Sequence, residues 1–160
     1  MSTLYVDTIT EKTSGNGVQI PGHVVQVVSS STTTQVINSS ATEVSTGISA
    51  SITPISASNK IMVTMSSTLL FGSNSGNLAV LFNLKRGGTT IATAETKDNV
   101  NAIVQLAETV SINFLDAPAT TSATTYEVFF QESASTNRYG STAINYNGRT
   151  GTITLMEIAQ

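Results

Sequence analysis

From Asn59 to Met65 the chain reads NKIMVTM, with Ile61, Val63 and Met65 on every second position. That period recurs along most of the 160 residues and is the feature that most limits the possible folds. Ser49–Thr53 alternates small polar with apolar residues, and Tyr126, Val128 and Phe130 share one parity. Ile153, Leu155 and Ile158 close the chain, with Met156 opposite Leu155. A side-chain period of two puts successive residues on opposite faces of a pleated strand, so such segments form half-buried antiparallel strands. Val104, Leu106, Val110, Ile112 and Phe114 continue the pattern, with Ala107-Glu108 read as a break in phase at a bulge. A helix over Ala102–Val110 is the competing reading of that stretch, because short apolar runs are ambiguous.

Turn chemistry separates these segments. Arg86-Gly87-Gly88-Thr89 predicts a hairpin, since Gly-Gly supplies positive φ at both central positions. Tyr146-Asn147-Gly148-Arg149 predicts a second, of type I′. Gly72–Asn77 and Asp116–Ser122 read as loops. About eight to ten strands after Val24, spaced by such turns, predict an all-β fold of two packed antiparallel sheets, a jelly-roll-like β-sandwich. Residues 23–160 would form this domain, and residues 1–22 an extended N-terminal segment cut by Gly15, Gly17, Pro21 and Gly22.

Composition narrows the function. Only 11% of residues are charged, the net charge is -3, and Ser and Thr take the place of charge. Lys85-Arg86 is the one adjacent basic pair, which argues against nucleic-acid binding, where a clustered basic footprint is needed. No apolar run approaches the ~20 residues of a membrane-spanning helix. A surface poor in Lys and Glu protects strand edges badly, which points to obligate assembly; a monomer with a polar surface is equally compatible.

The residues that chemistry needs are sparse. There is no cysteine. His23 is the single histidine and has no Cys, second His or Ser-Asp partner nearby, so it reads as a turn residue. Gly15-Asn16-Gly17 lacks the third glycine of a dinucleotide fingerprint and the Lys-Ser/Thr of a phosphate loop. Lys97-Asp98-Asn99 is too thin for a calcium loop, and Asn38-Ser39-Ser40 reads as an accidental glycosylation match. Asp7, Glu11, Glu43, Glu95, Asp98, Glu108, Asp116, Glu127, Glu132 and Glu157 are spread out and read as surface carboxylates. No catalytic residue, metal or cofactor is expected, and a glycan-degrading carboxylate pair is the minor alternative.

The N-terminal segment carries a resemblance. Val6–Ile9, then Thr13–Val18 with Gly15, Asn16 and Gly17, then Ile20–Gln26 with Gly22 and His23 resemble the opening of bacteriophage virion appendage proteins. The resemblance extends to short structural proteins and tail-fibre segments, especially those of marine and cyanobacterial phages. Thr46-Gly47-Ile48, Ile52-Thr53-Pro54, Ser58–Val63, Asp116-Ala117-Pro118 and Ile153–Ile158 are similar to the same group. The resemblance implies a virion protein made in the host cytoplasm, a homotrimer with a β-sandwich knob at the end of an attachment segment. A tail-fibre knob that contacts the host surface is the first functional expectation. A trimeric capsid decoration protein is the second.

Two residue sets follow. Leu4, Val6, Ile9, Val18 and Ile20 would be buried only against other copies or other virion proteins. Asn137, Arg138, Tyr139, Tyr146, Asn147 and Arg149 form the densest aromatic-plus-Arg region and are the candidate receptor contacts. Aromatic faces and guanidinium planes suit a host surface glycan.

Overall fold

A computed structural model describes residues 6–10, 20–73, 76–100, 104–135 and 142–160. Leu4, Val18, Asn137, Arg138 and Tyr139 lie outside the described residues. Within them the strands are β1 Val24–Thr32, β2 Val36–Asn38, β3 Val44–Ile52, β4 Lys60–Ser73 and β5 Gly76–Arg86. They continue as β6 Thr89–Val100, β7 Val104–Asp116, β8 Thr124–Ser135, β9 Thr142–Ile144 and β10 Gly151–Ile158.

All pairings are antiparallel. β4 is flanked by β7 on one side and by β9 and β10, end to end, on the other. β2 and β1 then pair with β9 and β10, so the first sheet is four positions wide, with the two positions on one side of β4 each divided between two strands. The second sheet runs β3-β8-β5-β6. The chain therefore behaves as one long hairpin, with β1 on β10, β3 on β8, β4 on β7 and β5 on β6, rolled into two sheets. That is jelly-roll topology, as the strand pattern predicts.

The inward face of each strand fills the space between the sheets. Ile61, Val63, Met65, Leu69 and Phe71 of β4 face a core shared with Val80, Phe82 and Leu84 of β5 and with Tyr126, Val128 and Phe130 of β8. Each such side chain stabilises the fold by about 1.5–3 kcal/mol relative to exposure. Phe82 and Phe130, on neighbouring strands, stack with ring centroids 6.2 Å apart. The Arg86–Thr89 turn closes the β5–β6 hairpin with φ 53° at Gly87 and 86° at Gly88, as expected.

Four readings change. Ala107-Glu108 is not a bulge, because β7 pairs with β4 in unbroken register from Val104 to Asp116. Leu106, Glu108, Val110 and Ile112 keep one parity, and Glu108 takes its place where that face meets solvent, accepting a hydrogen bond from Thr96 Oγ1 at 3.2 Å. The same unbroken strand replaces the helix alternative. The Gly72–Asn77 loop is shorter than expected, since β4 runs to Ser73 and β5 begins at Gly76. At the C-terminus Glu157, not Ile158, follows Ile153 and Leu155 into the core, and Ile158 shares the outer face with Met156.

Candidate binding surfaces

Tyr146-Asn147-Gly148-Arg149 does not join two strands that pair with each other. Ile144 pairs with Leu69, and Thr152 pairs with Ser66 of the same strand, so the chain between them loops out from one sheet position. The local geometry still follows from Asn-Gly: Asn147 has φ 57° and Gly148 φ 70°, as a type I′ turn requires. The excursion lies beside the gap between β1 and β2, where the Asn147 N–H donates to Gln35 Oε1 at 3.0 Å. Asn147 and Arg149 are exposed, while Tyr146 is half-buried.

Asn145 anchors this protrusion. It is fully buried, with φ 54°. Its Oδ1 accepts from Ser67 Oγ at 2.7 Å. Its Nδ2 donates to Thr34 O at 2.8 Å and to Thr46 O at 3.2 Å. One amide thus ties β4, the β1–β2 link and the opposite sheet together. Gly151 closes the excursion, and a Cβ there would lie 2.2 Å from Asn145 Oδ1 and 2.6 Å from Ile48 Cδ1. Neither residue was a candidate at the sequence level. The signal available was Asn-x-Asn-Gly, because Asn tolerates the left-handed region better than most residues.

A second polar centre sits at the rim by the β5–β6 turn. Arg86 Nη1 lies 2.8 Å from both oxygens of Asp116, and the Tyr126 hydroxyl donates to Asp116 Oδ2 at 2.6 Å. Burial, and then the hydrogen bond to Asp116, push the Tyr126 phenol well above its ordinary value of 10.0. The neutral phenol is therefore favoured by folding. Its contribution is complete below about pH 10 and is lost as pH rises toward the higher folded-state value. We expect urea midpoints of the native chain to fall between pH 9.5 and 11.5 more steeply than those of Tyr126→Phe. Parallel slopes for the two chains would contradict this assignment.

The outer face of the second sheet carries a third cluster. Glu43 pairs with Lys85 and accepts from Asn83 Nδ2 at 2.8 Å, and Thr93 Oγ1 donates to Asn83 Oδ1 at 2.9 Å. The Lys85 ammonium lies 4.3 Å above the Phe129 ring. Burial disfavours the Glu43 carboxylate, but the hydrogen bonds from Lys85 and Asn83 and the Lys85 charge outweigh it and hold Glu43 below its ordinary range.

The expectation of surface carboxylates fails for Asp116, Glu132 and Glu157, which are buried. Each has a structural partner: Arg86 and Tyr126 for Asp116, Thr142 Oγ1 at 2.7 Å for Glu132. Glu157 accepts from Gln26 Nε2, Ile55 N and Asn59 Nδ2 at 2.5, 2.8 and 2.7 Å. These bonds hold the β3–β4 loop under the last strand. Among the described residues no group of three or more His, Cys, Asp or Glu side chains is placed to hold a metal ion. A cleft of about 180 Å³ opens between β6 and β7, lined by Phe82, Ala94, Glu95, Thr96, Val110 and Ser111.

The N-terminal segment meets the sandwich at Gly22, whose N–H donates to Ala159 O at 2.8 Å. Val6, Ile9 and Ile20 are 51%, 61% and 40% exposed, so each keeps a large part of its apolar surface open in the single chain.

No protein-family model and no curated protein matches this sequence. The chain is similar in structure to the VP2 protein of infectious bursal disease virus. Its subviral particle gives a TM-score of 0.43 at 15% identity, over 96% of this chain and 42% of that one. A mutant VP2 from T=1 particles gives 0.42 at 16% identity, over 85% and 37%. The Gx strain of the same virus gives 0.43 at 16% identity, over 84% and 37%. This chain thus spans about two fifths of the VP2 chains, and at such identities the likeness concerns the backbone path alone.

Proposed function

We propose that this protein is a structural component of a virus particle, a knob-type appendage of the phage tail-fibre class. The N-terminal segment joins it to its copies and to the particle, and the loops of the sandwich contact the host surface. The observation that carries this reading is the exposure of Val6, Ile9 and Ile20 beside a sandwich whose own core is already filled. Full burial of an exposed apolar side chain is worth about 1.5–3 kcal/mol, and about half of that remains to be gained at each of these positions when a copy or a virion partner covers them. The near absence of charge supports assembly by apolar contact, which salt does not screen. A homotrimer satisfies both features.

Deleting residues 1–22 tests the attachment role: the truncated knob should be missing from purified virions, and normal incorporation would overturn the reading. Copy number per particle separates a fibre knob, present in few copies, from a capsid decoration protein, present in many. The host-contact role rests on Asn147 and Arg149, exposed on a protrusion whose base is rigidly held. Asn147→Gly, which keeps the φ of 57° accessible, with Arg149→Ala should lower adsorption to host cells at least tenfold and leave the melting temperature unchanged. Unaltered adsorption would remove these residues from the contact.

A further inference from the structure

The register of the first sheet aligns one apolar side chain from each of four of its strands. Val27 of β1 pairs with Met156 of β10, Met156 with Met62 of β4, and Met62 with Leu115 of β7. All four lie on the parity opposite to the core, on the outer face. Val27 is 59% exposed and Leu115 46%, and the methionines between them are half-buried. Val24 and Ile158, the next pair toward the N-terminal segment, extend the patch to six residues. On the other side it stops sharply, because the following row is Ser29, Thr154, Thr64 and Asn113. An apolar row across four strands, bordered by a wholly polar one, has the form of an interaction site rather than of scattered surface hydrophobes.

The patch is small. Strands ~4.8 Å apart and same-face rows ~7 Å apart give a footprint of about 200 Å², well under the ~800 Å² per partner of a stable interface. It needs a contact that continues beyond it. The N-terminal segment leaves from this end of the sheet, where Gly22 is bonded to Ala159 just past Ile158. Val6 and Ile9 are 51% and 61% exposed in the single chain, so both have apolar surface left to bury. The charges also match: Lys60, paired with Ile158, is the only charged residue of these rows, and Asp7 lies between Val6 and Ile9.

From this match we infer that the row Val27–Met156–Met62–Leu115 receives the Val6–Thr10 stretch of a second copy of this chain. Val6 and Ile9 bury against the row, and Asp7 sits toward Lys60. The exchange is reciprocal in a closed ring: each copy gives its segment to one neighbour and covers its own row with the segment of the other. It rests on the reading of the N-terminal segment as an assembly element, and it names the surface that accepts it.

The absence of native cysteine makes the test direct. Chains carrying Ile9→Cys with one tag are co-expressed with chains of another tag carrying Val27→Cys, Leu115→Cys or, as control, Ser51→Cys. Ser51 is exposed on the second sheet. Mild oxidation and non-reducing electrophoresis detect the mixed-tag dimer. Strong cross-linking to Val27→Cys and Leu115→Cys, at least tenfold above Ser51→Cys, supports the inference. Cross-linking no better than the control, in a native chain that is oligomeric, overturns the accepting surface and leaves segment-driven assembly standing. A monomeric native chain overturns both. A disulfide formed within one chain by Ile9→Cys plus Val27→Cys also overturns it, since the row would then be covered by its own segment. Leu115→Glu adds an independent readout: at a half-exposed position it should leave a folded chain with an unchanged far-UV circular dichroism spectrum while reducing the mass to that of one chain, and an unchanged mass counts against the inference.

Discussion

Asn145→Ala should lower stability by about 4 kcal/mol, close to the upper end for single substitutions. Three partners lose their bonds at once: Ser67 Oγ, Thr34 O and Thr46 O. An unmade buried hydrogen bond costs about 1–3 kcal/mol, and relaxation keeps the sum below simple addition. The backbone adds to this, because φ is 54° and alanine tolerates the left-handed region about 1–2 kcal/mol less well than glycine. In a domain of this size the melting temperature should fall by about 10 °C. Asn145→Gly separates the two causes, since it relieves the backbone and restores none of the bonds; it should recover about 1 kcal/mol. Gly151→Ala attacks the same contact from the other side by placing a methyl group 2.2 Å from Asn145 Oδ1. Thermal melts within 2 °C of the native chain for Asn145→Ala would show that this amide does not tie the sheets together.

Glu157→Ala should cost about 3–5 kcal/mol. The carboxylate is fully buried and serves Ile55 N, Asn59 Nδ2 and Gln26 Nε2. Its removal leaves the buried Asn59 Nδ2 and the part-buried Ile55 N and Gln26 Nε2 without this acceptor, which is the expensive way to lose a hydrogen bond. Glu157→Gln is the finer probe. One acceptor becomes an NH2 group facing Gln26 Nε2, and Gln26 cannot turn over without setting its own oxygen against Thr53 O, to which it now donates at 2.8 Å. A loss of about 1–2 kcal/mol is expected for Gln. Hydrogen exchange should localise the effect, with amides of the β3–β4 loop losing protection first. Full protection at Ile55 in Glu157→Gln would contradict the role of this carboxylate.

Much of the sandwich was legible because inward residues alternate without interruption. β4 and β8 could be read from Ile61-x-Val63-x-Met65 and Tyr126-x-Val128-x-Phe130, since each apolar residue there is buried. Gly87-Gly88 was legible for a different reason: few residues other than glycine accept positive φ at two successive positions. The reading failed where polar residues occupy inward positions. Ser67 is in phase with Met65 and Leu69 and is buried because Asn145 bonds it. Glu157 follows Leu155 inward because a loop more than ninety residues earlier supplies its donors. Nothing near either residue announces the distant partner.

The candidate surfaces divide in the same way. Tyr146, Asn147 and Arg149 stood out by composition, and two of the three are exposed on a protrusion. The hairpin expected there was wrong because φ preferences specify a turn but not which strands it joins. The apolar row could not be seen at all. Val27, Met62, Leu115 and Met156 are each unremarkable in sequence, and only the pairing register places them side by side.

The central claim is that exposed apolar residues of the N-terminal segment are buried by assembly of identical chains. Light scattering of the full-length chain, measured over a hundredfold dilution and in 1 M salt, tests it most directly. The account predicts three times the chain mass under all conditions, and one chain mass for Val6→Asp with Ile9→Asp. A native chain that remains a monomer at every concentration would contradict it.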